Sequence, residues 1–284
     1  MIGFTLSPSW WDVKKIDVLL NDLWSRGCRS IELYLNPFDS MFTETFALAK
    51  LILERGWTLT IHAPTDGDFN IVHYDDNRNM VEAAYRALFD VVASLSTDFK
   101  QPILINFHGG QGEGLKGKLF KDKLLKSVRQ FVHWLVSLLK DQYTCLRTAM
   151  ELLPYDPAYV RIGDRQEDLL YISEGIDSTY FGLCWDMGHL RRNREMFTYG
   201  CAPKPDFVQR VVHVHVHEVD IFYRDHCPIG RGIVSVADDI KYLLKAGYKN
   251  VYNLELSFEL AAEFGDPLSE LFQSIANLKE MISL

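Results

Sequence analysis

Eight times along this chain a short β-branched or aromatic run gives way to a longer amphipathic run that stops at Gly or a polar cluster. The strand patterns are Ile2–Leu6, Ser30–Leu35, Leu59–His62, Ile103–His108, Arg147–Leu152, Phe181–Asp186, Val211–His217 and Tyr252–Ser257. Between them, helical spacing covers Asp12–Arg26, Phe42–Arg55, Arg78–Ser94, Lys121–Lys140, Arg165–Ser173, Ala237–Ala246 and Leu268–Ile282. Arg26-Gly27, Arg55-Gly56 and Ala246-Gly247 put Gly just past a helix, where a left-handed residue closes the last turn. A doubly wound open sheet satisfies the same periodicity. Eight units in 284 residues, against about 250 for one complete α/β barrel, favour closure: a single-domain (β/α)8 TIM barrel over residues 1–284.

Composition removes several classes. With 48% apolar and 24% charged residues the chain is neither disordered nor fibrous. The five cysteines (Cys28, Cys145, Cys184, Cys201, Cys227) are odd in number and form no CxxC pair, which suits reduced thiols better than a disulfide framework. Met1-Ile2-Gly3-Phe4 leads straight into a strand pattern, so no secretory leader is expected and the predicted location is cytoplasmic. No apolar stretch approaches the ~20 residues of a membrane span. A net charge of −8 disfavours indiscriminate binding to nucleic acid or anionic lipid, although a local basic patch would escape that argument. A homo-oligomer is left open.

The loops after the strands (Pro64–Asp76, Gly109–Lys118, Pro154–Asp164, Gly188–Pro205 and Glu218–Ser235) are long and polar, whereas those after the helices are short. This asymmetry directs function to the C-terminal ends of the strands. There the third to eighth strands each deliver a metal-type ligand: His62, His108, Glu151, Asp186, the run His213-Val214-His215-Val216-His217, and Glu255. Singly these have ordinary readings. A strand-end His62 or His108 serves as a hydrogen-bonded structural residue, Glu32 as the partner of a barrel-floor Arg or Lys, and the histidine ladder as a solvent-lining face. Together they put carboxylates and imidazoles where burial is costly unless a cation compensates. Mixed His and carboxylate ligands suit a divalent zinc, manganese, cobalt or iron ion.

Other motifs carry less. Gly112–Leu119 nearly matches a phosphate loop, but Leu119 stands where the metal-binding hydroxyl belongs, so Lys116 and Lys118 are read as solvated. No Gly-x-Ser-x-Gly elbow is present. Trp10 and Trp11 are candidates for a pocket wall, and Arg191-Arg192-Asn193-Arg194 for a phosphate contact.

At Ser30-Ile31-Glu32-Leu33, Ile61-His62-Ala63-Pro64, Asp186-Met187-Gly188-His189, His215-Val216-His217-Glu218 and Pro228-Ile229-Gly230-Arg231-Gly232-Ile233 the chain resembles the xylose isomerase-like barrel superfamily over essentially its whole length. That superfamily holds sugar-phosphate isomerases, ketose 3-epimerases, inosose dehydratases and endonuclease IV. The isomerase and epimerase branch implies one metal on Glu151, Asp186, His215 and Glu255. It also implies proton transfer by Glu151 and Glu255 through an enediolate, and His189 on a substrate oxygen. The substrate would be a sugar, sugar phosphate or polyol, with His217, His226, Arg191 and Trp10 as further candidate contacts.

The endonuclease branch implies three zinc ions: one on His62, His108 and Glu151, one on the four residues above, and one on His189, His226 and an Asp two residues before His226. That last position is Arg224, with Asp225 adjacent as the alternative ligand. The sequence therefore leads to a metal-dependent isomerase or epimerase, with an abasic-site endonuclease second and a non-catalytic sugar-binding barrel third. It predicts one tightly held metal, a weaker second at His62 and His108, and no third because of the Arg224 charge.

Overall fold

The computed structural model describes residues 1–10, 15–112, 118–199 and 201–283. Eight parallel strands close into a barrel in sequence order: β1 (Ile2–Thr5), β2 (Cys28–Tyr34), β3 (Thr58–His62), β4 (Ile103–Phe107), β5 (Leu146–Glu151), β6 (Phe181–Asp186), β7 (Val211–Val216) and β8 (Tyr252–Leu254). β8 returns to β1 through Ile2–Tyr252 and Phe4–Leu254 pairing. The open doubly wound alternative is thereby excluded. Helices Ile16–Ser25, Phe42–Glu54, Tyr74–Phe99, Lys118–Gln142, Gln166–Ser173, Ala237–Lys245 and Pro267–Ile282 run between and after the strands. No described helix is long and apolar enough to cross a membrane.

Side-chain alternation divides the interior into two chemistries. Ile31, Leu33, Ile61, Ile105, Phe107, Trp185, Val214 and Leu254 are buried against the helices and form the apolar core. Phe131 and Tyr85, both fully buried from the helical layer, meet with ring centroids 4.7 Å apart, and Phe107 lies 5.9 Å from Phe131. Residues of opposite parity face the barrel axis, and they are polar: Thr5, Glu32, Thr60, His62, Asn106, Glu151, Asp186, His213, His215 and Asn253 are all buried. The hydrophobic effect therefore acts mainly between sheet and helices. The lumen is left free for chemistry.

Element boundaries moved where a local bond competed with the pattern. The expected strand Tyr252–Ser257 stops at Leu254, because Ser257 N–H turns to the carbonyl of His226 (2.9 Å) and the Ser257 hydroxyl caps a further helix, Phe258–Phe264. The loop expected at Gly188–Pro205 opens instead as a helix, Met187–Arg191, continuing into a π-turn at Arg192–Met196. Its first turn is capped by Asp186 Oδ1, which accepts from His189 N–H at 2.6 Å. Gly27, Gly56 and Gly247 adopt the expected left-handed conformation past their helices. The start of the helix expected at Asp12, together with Trp11 and Lys116, lies outside the described residues, as does most of the Gly112–Leu119 motif.

Candidate metal centre

His215, fully buried on β7, has two ring nitrogens with opposite tasks. Its Nε2 lies 2.9 Å from Glu32 Oε1. That carboxylate is held well below its ordinary range: burial pushes it up, but the charges and hydrogen bonds of His215 and His213 outweigh burial. Glu32 therefore accepts, and Nε2 carries the proton. In its neutral form the ring presents an Nδ1 lone pair, 2.8 Å from Glu255 Oε2, 3.3 Å from Glu151 Oε2 and 3.8 Å from Asp186 Oδ2. His215 Nδ1 and Glu255 Oε2 are buried without a hydrogen-bond partner. One ligand atom from each of Glu151, Asp186, His215 and Glu255 lies within 4.8 Å of the others. With that ring neutral, four electron-pair donors meet without a hydrogen atom among them and repel, unless positive charge sits between them. A divalent cation fits that set.

The neighbouring groups show the same demand. Burial would lower His215, yet Cys184, Glu255, Glu32 and Glu151 drive its pKa well above the ordinary imidazole value. Glu151 is displaced in the opposite direction: burial raises it, while His215 and His108 bring it well below the carboxylate range. Without a metal, protons supply the missing charge.

Two further groups flank this one. His62 Nδ1 donates to the carbonyl of Ala63 (2.8 Å), which leaves its Nε2 facing Glu151 Oε2 at 3.5 Å. His108 Nε2 faces the same oxygen at 3.5 Å and is unpartnered. Asn106, which the sequence reading overlooked, also donates to Glu151 Oε2. Its signal was parity: two residues before His108 on one strand, it shares the inward face. On the other side His189, His217 and His226 gather within 4.8 Å. Burial lowers His189 below the ordinary imidazole value, and its Nδ1 donates to Leu152 O at 3.1 Å. His217 Nε2 donates to Asp186 at 3.0 Å, and its Nδ1 accepts from His226 N–H at 2.8 Å.

Several expectations are corrected. Glu32 pairs with two histidines and not with a floor Arg or Lys. The ladder His213, His215 and His217 is buried instead of lining solvent. Arg224 does not oppose a cation beside His189, because its guanidinium turns to Glu263 and Asp220, each at 2.7 Å. Asp225 takes the anionic place, with Oδ2 3.6 Å from His189 Nε2 and Oδ1 3.0 Å from Arg192. The basic run is tied internally, Arg191 to Asp239 and Arg192 to Asp225.

A cavity of about 670 Å³ opens beside the centre; its lining includes His108, His189, Asp225, His226, Gln111 and Arg161. It reaches Glu151 and Glu255 through His108, His189 and His226 but includes none of the four converging residues themselves. Trp10 is not among its lining residues. It is buried between Phe4 and Phe258 with its indole N–H on Leu256 O. Arg191 and His217 are likewise absent from the lining.

The Asp-Met-Gly-His segment also explains its glycine. A Cβ on Gly188 would stand 2.1 Å from His217 Cε1, and that ring is held at both nitrogens. Gly188→Ala is therefore expected to destabilise by about 1–3 kcal/mol, the usual cost of overpacking. It should also loosen Asp186. Thermal unfolding and metal titration would check it, and an unchanged midpoint would show that the ring yields freely.

A closed (β/α)8 barrel with a carboxylate–imidazole cluster at the C-terminal ends of its strands is the class these features define. The chain belongs to the xylose isomerase-like TIM barrel family, which matches residues 22–281. An alignment covering 33% of the chain is 28% identical to an uncharacterized protein of Methanocaldococcus jannaschii, and the chain spans about a third (32%) of that relative. Among solved structures it is similar to a D-tagatose 3-epimerase-like protein (16% identity, TM-score 0.66, 99% of this chain and 100% of that one). It is also similar to an L-ribulose 3-epimerase (15%, 0.66, 99% and 94%) and to a D-allulose 3-epimerase from Methylomonas sp. in complex with D-allulose (14%, 0.67, 99% and 96%). At such identities the likeness shows the fold.

Proposed function

We propose that this chain is a metal-dependent isomerase or epimerase of a sugar, sugar phosphate or polyol. The observation that carries this reading is the convergence of Glu151, Asp186, His215 and Glu255 on one point beside an open polar cavity. A divalent ion held there would supply Lewis acidity toward a substrate carbonyl. Glu151 and Glu255 descend from different strands of the barrel and serve as the proton carriers, one removing a proton beside the carbonyl and the other returning one. His189, kept neutral by burial, presents Nε2 at the cavity for a substrate oxygen. Several structural neighbours being ketose 3-epimerases adds support. The test is solvent-deuterium incorporation into D-allulose, D-tagatose and L-ribulose by metal-supplemented protein in heavy water. Exchange at the carbon next to the carbonyl is expected in at least one of them. None across a wider ketose panel would count against the reading.

A second reading, phosphodiester hydrolysis at a multinuclear centre, is favoured by one set of observations. His62 and His108 flank Glu151, and Asp225 stands beside His189 and His226. Metal-dependent nicking of a duplex carrying an abasic site, absent in Glu151→Gln, would reverse the ranking.

A further inference from the structure

Beneath the four converging groups the barrel holds a second buried polar layer, centred on Glu32 of β2. Five side-chain donors surround this fully buried carboxylate. Oε1 receives His215 Nε2 at 2.9 Å, the Thr5 hydroxyl at 3.1 Å and Asn253 Nδ2 at 3.4 Å. Oε2 receives His213 Nε2 at 2.8 Å and the Thr60 hydroxyl at 3.2 Å. The Thr5 hydroxyl is itself oriented, since Asn253 Nδ2 donates to it at 2.6 Å. Glu32, His213 and His215 also lie close enough together to hold an ion. The hydrogen bonds argue against that use, because a carboxylate offers about four lone-pair sites and all are taken by N–H and O–H donors.

An apolar side chain would fill the same volume without the cost of burying a charge. What an apolar residue cannot do is decide which nitrogen of His215 carries the proton. We propose that Glu32 is a positioning residue of the metal centre: by accepting the Nε2 proton of His215 it fixes the tautomer whose Nδ1 lone pair points at Glu151, Asp186 and Glu255. Histidine ligands depend on such outer partners for ring orientation and basicity. The inference rests on the metal reading of the four-residue cluster and adds to it a residue two layers from the cavity.

The network also predicts how substitutions differ. In Glu32→Gln the amide oxygen must stay on the side of Asn253, whose Nδ2 can only donate, and the amide NH2 turns to Thr60 and His213. His215 keeps its acceptor but loses the anion behind it. In Glu32→Met both acceptors vanish.

The experiment uses zinc as the probe. Affinity is measured by competition with a chromophoric chelator in wild type and both variants. Long-range ¹⁵N–¹H correlation spectra of the histidine rings are recorded on zinc-loaded protein. Wild type is expected to show His215 protonated at Nε2 and metallated at Nδ1. Zinc affinity should fall about tenfold in Glu32→Gln with that tautomer retained, and about a hundredfold in Glu32→Met, the span found for outer-shell partners. A merely structural Glu32 would lower the melting temperature without moving the ring signals. Wild-type His215 protonated at Nδ1, or a Gln variant that binds zinc as tightly as wild type, overturns the proposal. Those two measurements decide it even if the Met variant does not fold. Wild-type protein that takes up no zinc is a distinct result, because it removes the metal reading and this role together.

Discussion

Glu255→Gln is expected to leave the barrel folded and to lower solvent-deuterium exchange at the reacting carbon by about 10²–10⁴, the usual contribution of a positioned proton carrier. Glu255 follows the last strand, and its backbone bonds, N–H to Val216 O and C=O from His226, do not involve the side chain. Its side chain is 18% exposed, against 1% for Glu151 and 0% for Asp186, so it is the most accessible of the three carboxylates. Glutamine keeps the shape and one oxygen ligand but cannot accept a proton. The comparison is made on a ketose that wild type exchanges, with circular dichroism as the folding control. Undiminished exchange would remove Glu255 from the chemistry.

Exhaustive chelation is expected to lower the unfolding midpoint by roughly 5–10 °C. Binding to the native state alone adds about 2.7 kcal/mol at a hundredfold excess over Kd. For a chain of this length that is worth about 2–4 °C per kcal/mol. The loss should widen as pH rises. His62 has its pKa raised to about 9: burial opposes the shift, and the hydrogen bond and charge of Glu151 prevail. A pKa raised on folding stabilises fully below the unfolded value, about 6.5 for histidine, and that stability is lost as pH climbs through the folded value. Between those limits the unfolded chain has lost the proton that the metal-free fold still holds, so that proton stabilises the fold less and less, whereas bound metal competes better as protons leave. A melting curve that ignores chelator at pH 6 and at pH 9 would contradict the metal centre.

Much of this site was legible because strand parity is a strict rule. Once Asp186 and His215 are placed inward, so are Cys184, His213 and, at the corresponding ends, Glu151 and Asn253. Burial of both sheet faces in a parallel barrel made the strands themselves plain. What parity does not govern was misread. Arg224 and Asp225 sit in a loop where Tyr223 and His226 both take left-handed backbone, φ 64° and 61°. Those reversals send Arg224 outward and Asp225 toward His189, and neither residue type announces them. Glu32 was legible as a paired carboxylate but with the wrong partner, since its two histidines lie more than 180 positions away. Trp10 and Arg191 follow strand ends, but an indole N–H bond to Leu256 and an ion pair with Asp239 hold them away from the cavity.

The chemistry proposed for this site requires one cation at the point where Glu151, Asp186, His215 and Glu255 meet. Elemental analysis of protein supplemented with zinc or manganese and then dialysed into metal-free buffer, beside an Asp186→Ala, His215→Ala double variant, tests that directly. One tightly held equivalent in wild type, lost in the double variant while the fold is retained, is the predicted result. Three equivalents would keep the centre but move the chemistry to phosphodiester hydrolysis. A wild type that retains no metal, or a double variant that retains as much as wild type, would contradict the central claim.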